Sequence, residues 1–258
     1  MITRYAPTPS GFLHLGNLVN LSLTARLAER NDAAIVLRID DADTARVRQA
    51  YLDDIFAALD WLGVPWHTGP RDVADLANWS QHCRHEMYRS AARELHDTEA
   101  AYVCECSRAE WSQWSQWSES SDSTGAGCPR RCAERSLRLT PGKNALRLAQ
   151  VGLRDVVLWR REDGPSYHLA SIVDDDYFGV DFVVRGADLE ESTHIQRSIS
   201  RALPGARFHD AHVVHHRLLT DESGRKLSKS AGHSARAPER TEDLRREVDS
   251  WVEQLLVG

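Results

Sequence analysis

The N-terminal part of the chain alternates between the hydrophobic periods of strands and helices. Residues 1–3 begin a strand, and from 18 to 28 the apolar side chains recur every three or four positions, which is typical of a helix facing a core. Residues 33–39 form a short apolar run typical of a buried strand, and helical spacing returns over 47–62. This order predicts an α/β fold in which crossover helices connect the strands of a parallel sheet.

The remainder of the chain continues the alternation with less regular spacing. The pattern predicts helices over 78–98, 192–203 and 239–256. Short apolar runs predict strands at 145–148, 155–159, 171–173, 180–184 and 213–219. A Trp-Ser-Gln repeat at 111–117 leads into a Ser/Gly-rich tract. We predict that this segment is an insertion on the surface and assign it no catalytic or binding role.

The turn over Arg4–Asn17 joins the first predicted strand to the first predicted helix. Pro7 and Pro9 stiffen it, and the helix N-terminus that follows offers free N–H groups to an anion. His14 would then lie beside a phosphate held there. The turn and the acidic cluster Asp40–Asp43 both follow strands, so we expect them at the same edge of the sheet. The alternative is an ordinary turn with an exposed histidine.

Composition and charge narrow the class of protein. The chain has 258 residues, of which 41% are hydrophobic and 27% charged, as in globular proteins. No apolar run approaches the ~20 residues of a membrane span, and no signal-peptide pattern is present at the N-terminus. We therefore expect a cytoplasmic protein without membrane partners. The net charge of −6 argues against indiscriminate coating of nucleic acid but allows a local basic face.

Four of the five cysteines cluster as Cys104-x-Cys106 and Cys128-x3-Cys132. In a cytosolic chain, such a cluster indicates a metal site more readily than disulfides. The alternative is a set of cysteines without a ligand. Cys83 stands apart and receives no role.

A second informative stretch lies near the C-terminal end, where Lys226 and Lys229 alternate with Ser228 and Ser230. Two lysines and neighbouring hydroxyls suit a triphosphate, whose charge grows when its α-phosphorus is attacked. Alone, this loop could be solvated surface. Its pairing with the Pro-x-Ser-Gly-x-x-His-x-Gly turn makes a nucleotide site the better interpretation.

At this point the sequence resembles a known family. His14-Leu15-Gly16-Asn17 resembles the HIGH signature of class I aminoacyl-tRNA synthetases, and Lys226–Ser230 resembles their KMSKS signature. Further stretches resemble the glutamyl-specific members in order and spacing: Arg4–Gly11, Arg38–Asp43, Trp61–Gly63, Tyr167–Ala170, Asp174-Asp175, Val184–Leu189 and His215-His216. The chain stops soon after the lysine motif, and this length resembles the short glutamyl-Q tRNA(Asp) synthetases, which lack an anticodon-binding domain.

The resemblance implies a class I synthetase fold. This is an α/β fold with a Rossmann-like parallel sheet and a small inserted zinc-binding, acceptor-type subdomain. The halves of the catalytic domain would be residues 1–98 and 146–230, with the zinc-binding insert at 99–145 and a helical tail at 231–258.

The resemblance also implies roles for individual residues. His14, Lys226 and Lys229 would be catalytic, stabilising charge at the phosphates. ATP would be bound by His14, Gly16, Asn17, Lys226, Ser228 and Lys229. Glutamate would be bound by Arg4, Ala6, Thr8, Ser10, Asp40, Tyr167 and Arg185. Asp40 stands where the family usually has Glu. Cys104, Cys106, Cys128 and Cys132 would hold one structural Zn²⁺.

The implied reaction is the ATP-dependent activation of L-glutamate to glutamyl-adenylate, with Mg²⁺, followed by transfer to the queuosine base in the anticodon of tRNA(Asp). Arginines between 197 and 240 provide a candidate basic face for the RNA, and the alternative is that they are simply solvated. We expect a monomer. Two alternatives stay open: a glutamate-activating ligase with a small-molecule or protein acceptor, and a non-catalytic tRNA-binding paralogue.

Overall fold

The computed structural model describes residues 1–107, 109–110, 132–149, 155–220 and 237–257. The chain divides into two compact units. The first contains residues 1–83, 175–193 and 210–258, and the second contains residues 84–174 and 194–209. The predicted insert at 99–145 lies within the second unit, which extends beyond it on both sides. The predicted domain boundaries stay a prediction.

The elements of the first unit follow the predicted alternation at its N-terminal end. In chain order they are β1 (Ile2–Tyr5), α1 (Leu15–Arg30), β2 (Ala34–Leu37), α2 (Gln49–Leu62), α3 (Leu76–Trp79), a 3₁₀ turn (Gln81–Arg84, whose last residue belongs to the second unit), β7 (Phe182–Gly186), a 3₁₀ turn (Ala187–Leu189), β8 (His212–His216) and α7 (Glu242–Val257). The helix predicted at 239–256 is confirmed as α7, with its start three residues later.

Parallel strand pairs confirm the predicted α/β class. β1 pairs with β2 from Ile2–Ala34 to Tyr5–Leu37, and β7 pairs with β8. The backbone N–H of Asp181 donates to the oxygen of Ile2 at 3.1 Å, which places the starts of β1 and β7 side by side. The carboxyl ends of these strands therefore share one edge, where ligands of parallel sheets bind.

A single apolar core holds α1, α2 and α7 against the strands of the first unit. Ile35 of β2, Ile55 of α2 and Val248 of α7 are all at most 2% exposed and belong to the same cluster. Fully burying a side chain of this kind contributes roughly 1.5–3 kcal/mol. Arg245 of α7 also donates to the carbonyl oxygen of Trp61 at 2.7 Å, so α7 satisfies a carbonyl at the end of α2.

The second unit is built on an antiparallel sheet. Its strands, in sheet order, are β3 (Ala101–Cys104), β4 (Ala145–Leu148), β5 (Val156–Arg160) and β6 (Gly164–Pro165). Its helices are α4 (His85–Asp97), most of α5 (Tyr167–Tyr177), most of α6 (Glu190–Ala202), and 3₁₀ turns at Ala133–Arg135 and Phe208–Asp210.

A buried ion pair anchors α5 within the second unit. Arg84 donates to both carboxylate oxygens of Asp174, at 2.6 and 3.2 Å, and the Tyr88 hydroxyl donates to the same carboxylate at 2.7 Å. Burial works to lower the pKa of the Arg84 guanidinium, but the hydrogen bond and charge of Asp174 outweigh it and raise that pKa. The Arg84 guanidinium therefore stays charged in the interior.

Two predicted elements are wrong in type or extent. The strand predicted at 171–173 lies inside α5, because this helix is buried from Leu169 to Asp175 and a helix buried on every side has the same continuous apolar run as a buried strand. The helix predicted over 78–98 is broken at Ser80, whose backbone is extended. The N–H of Gln81 donates to the Asp41 side chain at 2.8 Å instead of continuing a helical ladder.

No helix in the described parts of the chain combines the length and the apolar composition that crossing a bilayer requires.

Candidate active site

The turn between β1 and α1 presents His14 at the start of a helix. His14 is the N-cap of α1, and its backbone N–H donates to Oδ1 of Asn17 at 3.1 Å. Asn17 therefore closes the first helical turn through its side-chain oxygen, in addition to its predicted role at phosphate. A Cβ on Gly16 would lie 3.0 Å from Cε1 of His14, so glycine is what allows the imidazole to lie over the helix start.

The acidic cluster meets this turn, as the sequence predicted. The backbone N–H of Arg38 donates to the oxygen of Tyr5 at 2.8 Å, and that of Asp40 donates to the oxygen of Pro7 at 3.0 Å. The two segments thus continue side by side beyond the ends of β1 and β2. Arg4 and Asp40 consequently lie at the same edge of the sheet.

A buried network of charges connects three segments at this edge. Arg38 donates to Asp40 at 2.6 and 3.2 Å and to Oδ1 of Asp175 at 2.6 Å. Nε of Arg4 lies 3.4 Å from the same Asp175 oxygen, and the side chains of Arg4, Arg38 and Asp175 are at most 7% exposed. Two arginines and two aspartates thus bring equal numbers of opposite charges together away from water.

Arg4 is arranged to accept a further anion. Among the described residues, its buried Nε has no hydrogen-bond partner, and Asp175 contacts it only at ion-pair distance. A guanidinium presents its donors as a planar fork that matches a carboxylate. The arrangement therefore suits a ligand that carries a carboxylate.

Asp40 accepts hydrogen bonds within the protein, in addition to its predicted contact with an ammonium group. Both of its carboxylate oxygens accept hydrogen bonds from Arg38, and Gln81 approaches one of them at 3.5 Å. Gln81 is itself held by Asp41 and by the N–H of Ala42, at 2.8 and 2.9 Å. Asp40 is therefore fixed in position, and its role toward an ammonium group stays a prediction.

Arg185 lies near the carboxyl end of β7, and the Thr193 hydroxyl orients it. Nη1 of Arg185 donates to this hydroxyl at 3.2 Å, and the hydroxyl donates to the oxygen of Leu189 at 3.0 Å. Nε2 of His215 lies 2.8 Å from the same hydroxyl, within hydrogen-bond distance. Arg185 is 3% exposed, so its guanidinium is held in the interior.

The other predicted ligand residues are distributed over the chain. Ala6 and Ser10 belong to the β1–α1 turn, where the N–H of Ser10 donates to the oxygen of Thr8 at 2.9 Å. Tyr167 begins α5 in the second unit and is 43% exposed. The loop that contains Lys226, Ser228 and Lys229 lies outside the described residues. The roles of all these residues stay predictions.

Sequence reasoning missed the positioning residues of this site. Arg38, Asp175 and Thr193 had no assigned role, although each lies in or near a stretch that resembles the glutamyl-specific enzymes. A signal was available in Asp174-Asp175, because two acidic residues at the end of an apolar run require buried partners. Their partners are distant in the chain, so the sequence alone could not pair them.

Three of the four predicted metal ligands converge in the second unit. The Sγ atoms of Cys104, Cys106 and Cys132 all lie within 4.8 Å of one another, and Cys106 and Cys132 approach to 3.7 Å. Tetrahedral zinc with Zn–S bonds of about 2.3 Å places its sulfurs about 3.8 Å apart, so these thiols fit zinc. Cys128 lies outside the described residues.

Comparison with known proteins finds one family model and several relatives that match most of the chain. The family described as "tRNA synthetases class I (E and Q), catalytic domain" matches residues 1–147 and 143–248. A glutamyl-Q tRNA(Asp) synthetase of Parasynechococcus marenigrum is 36% identical over 236 residues, which cover 90% of this chain and 74% of that protein. A protein of the same name from Rhodobacter capsulatus is 32% identical, over 95% of this chain and 99% of its own length.

A solved structure supports the fold. The glutamate-tRNA synthetase of Elizabethkingia anophelis matches with a TM-score of 0.72 at 24% identity. The match covers 92% of this chain and 54% of that one, so the chain spans about half of the larger enzyme. At this level of identity, the likeness concerns the fold alone.

Proposed function

Because this chain belongs to the glutamyl-Q tRNA(Asp) synthetases of the class I (E and Q) tRNA synthetase family, we propose that it activates L-glutamate with ATP and transfers the glutamyl group to queuosine in tRNA(Asp). The glutamate α-carboxylate attacks the α-phosphorus of ATP, which forms glutamyl-adenylate and releases pyrophosphate. A nucleophile of the modified base then takes the acyl group and releases AMP.

One observation carries the substrate assignment within the site. The buried Arg4 lies at ion-pair distance from Asp175, and its Nε lacks a hydrogen-bond partner among the described residues. The side-chain carboxylate of glutamate would supply a hydrogen-bond acceptor for the Arg4 guanidinium. Asp40 would take the α-amino end, Arg185 would add a second cation, and Ala6, Thr8 and Ser10 would line the turn. The contact of Tyr167 with glutamate stays a prediction.

Catalysis would come from positioning and charge stabilisation. His14 and the N-terminal N–H groups of α1 would contact the phosphates, where Gly16 and Asn17 shape the helix start. Lys226, Ser228 and Lys229 would stabilise the charge that develops on the α-phosphate and pyrophosphate. Mg²⁺ bound to ATP would neutralise part of the phosphate charge.

Zinc would have a structural role. Cys104, Cys106 and Cys132 would hold it as thiolates, with Cys128 as the fourth ligand. Four thiolates form a closed site, which stabilises a fold but leaves no position for a substrate. A cytoplasmic location and a monomeric state stay predictions.

Pyrophosphate exchange tests the activation step. Each amino acid is assayed with ATP and without tRNA, and exchange is expected with glutamate alone. Absence of exchange with every amino acid would refute the proposal. Labelled glutamate is then offered to tRNA(Asp) with and without queuosine, and label on the unmodified tRNA, or on neither, would assign a different acceptor.

Arg4→Lys tests the proposed role of Arg4 in binding the side-chain carboxylate of glutamate. The substitution keeps the charge but removes the planar fork, so the KM for glutamate should rise by about 10- to 100-fold with little change in the KM for ATP. The exposed Arg30→Lys on α1 is the matched control and should leave both constants unchanged. An unchanged KM for glutamate in Arg4→Lys would contradict the assignment.

A further inference from the structure

A buried aspartate of α2 is bonded to the chain immediately before His14. Asp54 is 5% exposed, and its Oδ2 accepts a hydrogen bond from the backbone N–H of Leu13 at 2.8 Å. Leu13 is itself 4% exposed and precedes the N-cap of α1. The carboxylate therefore fixes the backbone from which the His14 side chain projects.

The other oxygen of the same carboxylate is bonded to a distant part of the chain. Nη2 of Arg240 donates to Oδ1 of Asp54 at 2.5 Å and to its backbone oxygen at 2.9 Å. Arg240 is close behind the lysine motif in the sequence and begins the connection to α7. One side chain thus joins segments that lie 41 residues before it and 186 residues after it.

Packing alone does not explain why a carboxylate is buried at position 54. An ionised carboxylate is expensive to bury, and an apolar side chain of similar volume would fill the same space without that penalty. The penalty is offset here by a charged partner and a backbone donor, both with short contacts. Both partners belong to segments that flank the two motifs assigned to ATP.

We propose that Asp54 is a positioning residue for glutamate activation: it holds the turn that carries His14 in register with Arg240 and the chain that leads from it into α7. The inference rests on the proposed function. Asp54 does not touch the substrates in this scheme and acts through Leu13 and Arg240. A loss of the contact would move His14 by a fraction of an ångström, and displacements of this size reduce rates more than binding.

The test compares Asp54→Asn and Arg240→Gln with Asp53→Asn. Asp53 is exposed on the same helix and accepts a hydrogen bond from Gln49, so it controls for loss of charge on α2. In pyrophosphate exchange, both test variants should lower kcat by about tenfold with the KM for glutamate unchanged. The double variant should be no worse than either single one, because both remove the same contact. Asp53→Asn should match the unmodified protein.

Active-site titration and thermal unfolding separate positioning from stability. A purely structural role would lower the melting temperature and the fraction of active sites, but each active site would keep its normal kcat, and this result would overturn the inference. Arg240→Gln alters a partly exposed residue, so it keeps the test available if Asp54→Asn does not fold. If the unmodified protein shows no exchange, the proposed function fails and this inference with it, whereas an active protein with fully active variants overturns the inference alone.

Discussion

The substitution Gly16→Ala should reduce catalysis while leaving the fold as stable as before or more stable. Gly16 lies in the first turn of α1, where its backbone is not in the left-handed region. Alanine stabilises a helix by roughly 0.5–1 kcal/mol relative to glycine. The melting temperature should therefore stay constant or rise by about 1–4 °C.

The same methyl group would crowd His14, for which a catalytic role is proposed. A Cβ at Gly16 would lie 3.0 Å from Cε1 and 3.2 Å from Nδ1 of His14. Comfortable carbon contacts begin near about 3.5 Å, so the imidazole must move by a few tenths of an ångström or rotate away. Because a displacement of about 1 Å can reduce a rate by about 100-fold, we expect this smaller shift to lower kcat by about 3- to 10-fold. This corresponds to roughly 0.7–1.4 kcal/mol in the activation barrier.

Pyrophosphate exchange and thermal unfolding of the same preparation measure both effects. Gly11→Ala is the control, because a Cβ at Gly11, in the same turn, meets no described atom within 4 Å. It should leave kcat close to that of the unmodified protein. The reasoning is refuted if Gly16→Ala keeps full kcat, or if its loss of kcat accompanies a lower melting temperature, because the defect would then be one of folding.

Two further predictions concern metal and stability. Cys132→Ser should reduce bound zinc from about one equivalent to less than half and should lower the melting temperature. Cys83 is an exposed cysteine outside the cluster, so Cys83→Ser should change neither quantity. Equal zinc content in both variants would contradict the proposed site. Tyr5→Phe should raise the free energy of unfolding by up to about 1 kcal/mol, because the Tyr5 hydroxyl is buried without a hydrogen-bond partner among the described residues. Burial raises the pKa of this hydroxyl well above its usual range, so the unfolded chain ionises first, and the stability present below about pH 10 falls as the pH rises further. Urea unfolding at neutral and alkaline pH should show that the free energy of unfolding of the unmodified protein decreases at alkaline pH, and that it decreases less in Tyr5→Phe. If Tyr5→Phe is instead less stable than the unmodified protein at neutral pH, the hydroxyl has a hydrogen-bond partner.

Much of the framework could be predicted from local pattern. The N-terminal alternation of strand and helix was correct, because side-chain periods of two and 3.6 arise from backbone geometry within a few residues. The convergence of Asp40 with the β1–α1 turn was also predictable, since carboxyl ends of parallel strands share an edge. Three cysteines of the predicted cluster do converge, as their spacing indicated.

The errors occurred where local pattern and tertiary context disagree. Residues 171–173 have the composition of a strand, but they belong to a helix that is buried from Leu169 to Asp175. The break at Ser80 has no strong sequence signal, because its cause is the distant Asp41 carboxylate that takes the N–H of Gln81. In both cases the deciding interaction comes from another part of the chain.

The sequence by itself determined the order of strands and helices at the N-terminal end, the two motifs and the residue types proposed to bind glutamate, ATP and zinc. Only the tertiary structure decided that Asp175 lies between Arg4 and Arg38, and that Asp54 joins Leu13 to Arg240. The hydrogen bonds among these contacts join residues from 41 to 186 positions apart. The physical reason is that a charge buried by folding needs an opposite charge close to it in space. The separation of two residues along the chain does not reveal whether they will lie close together in the fold.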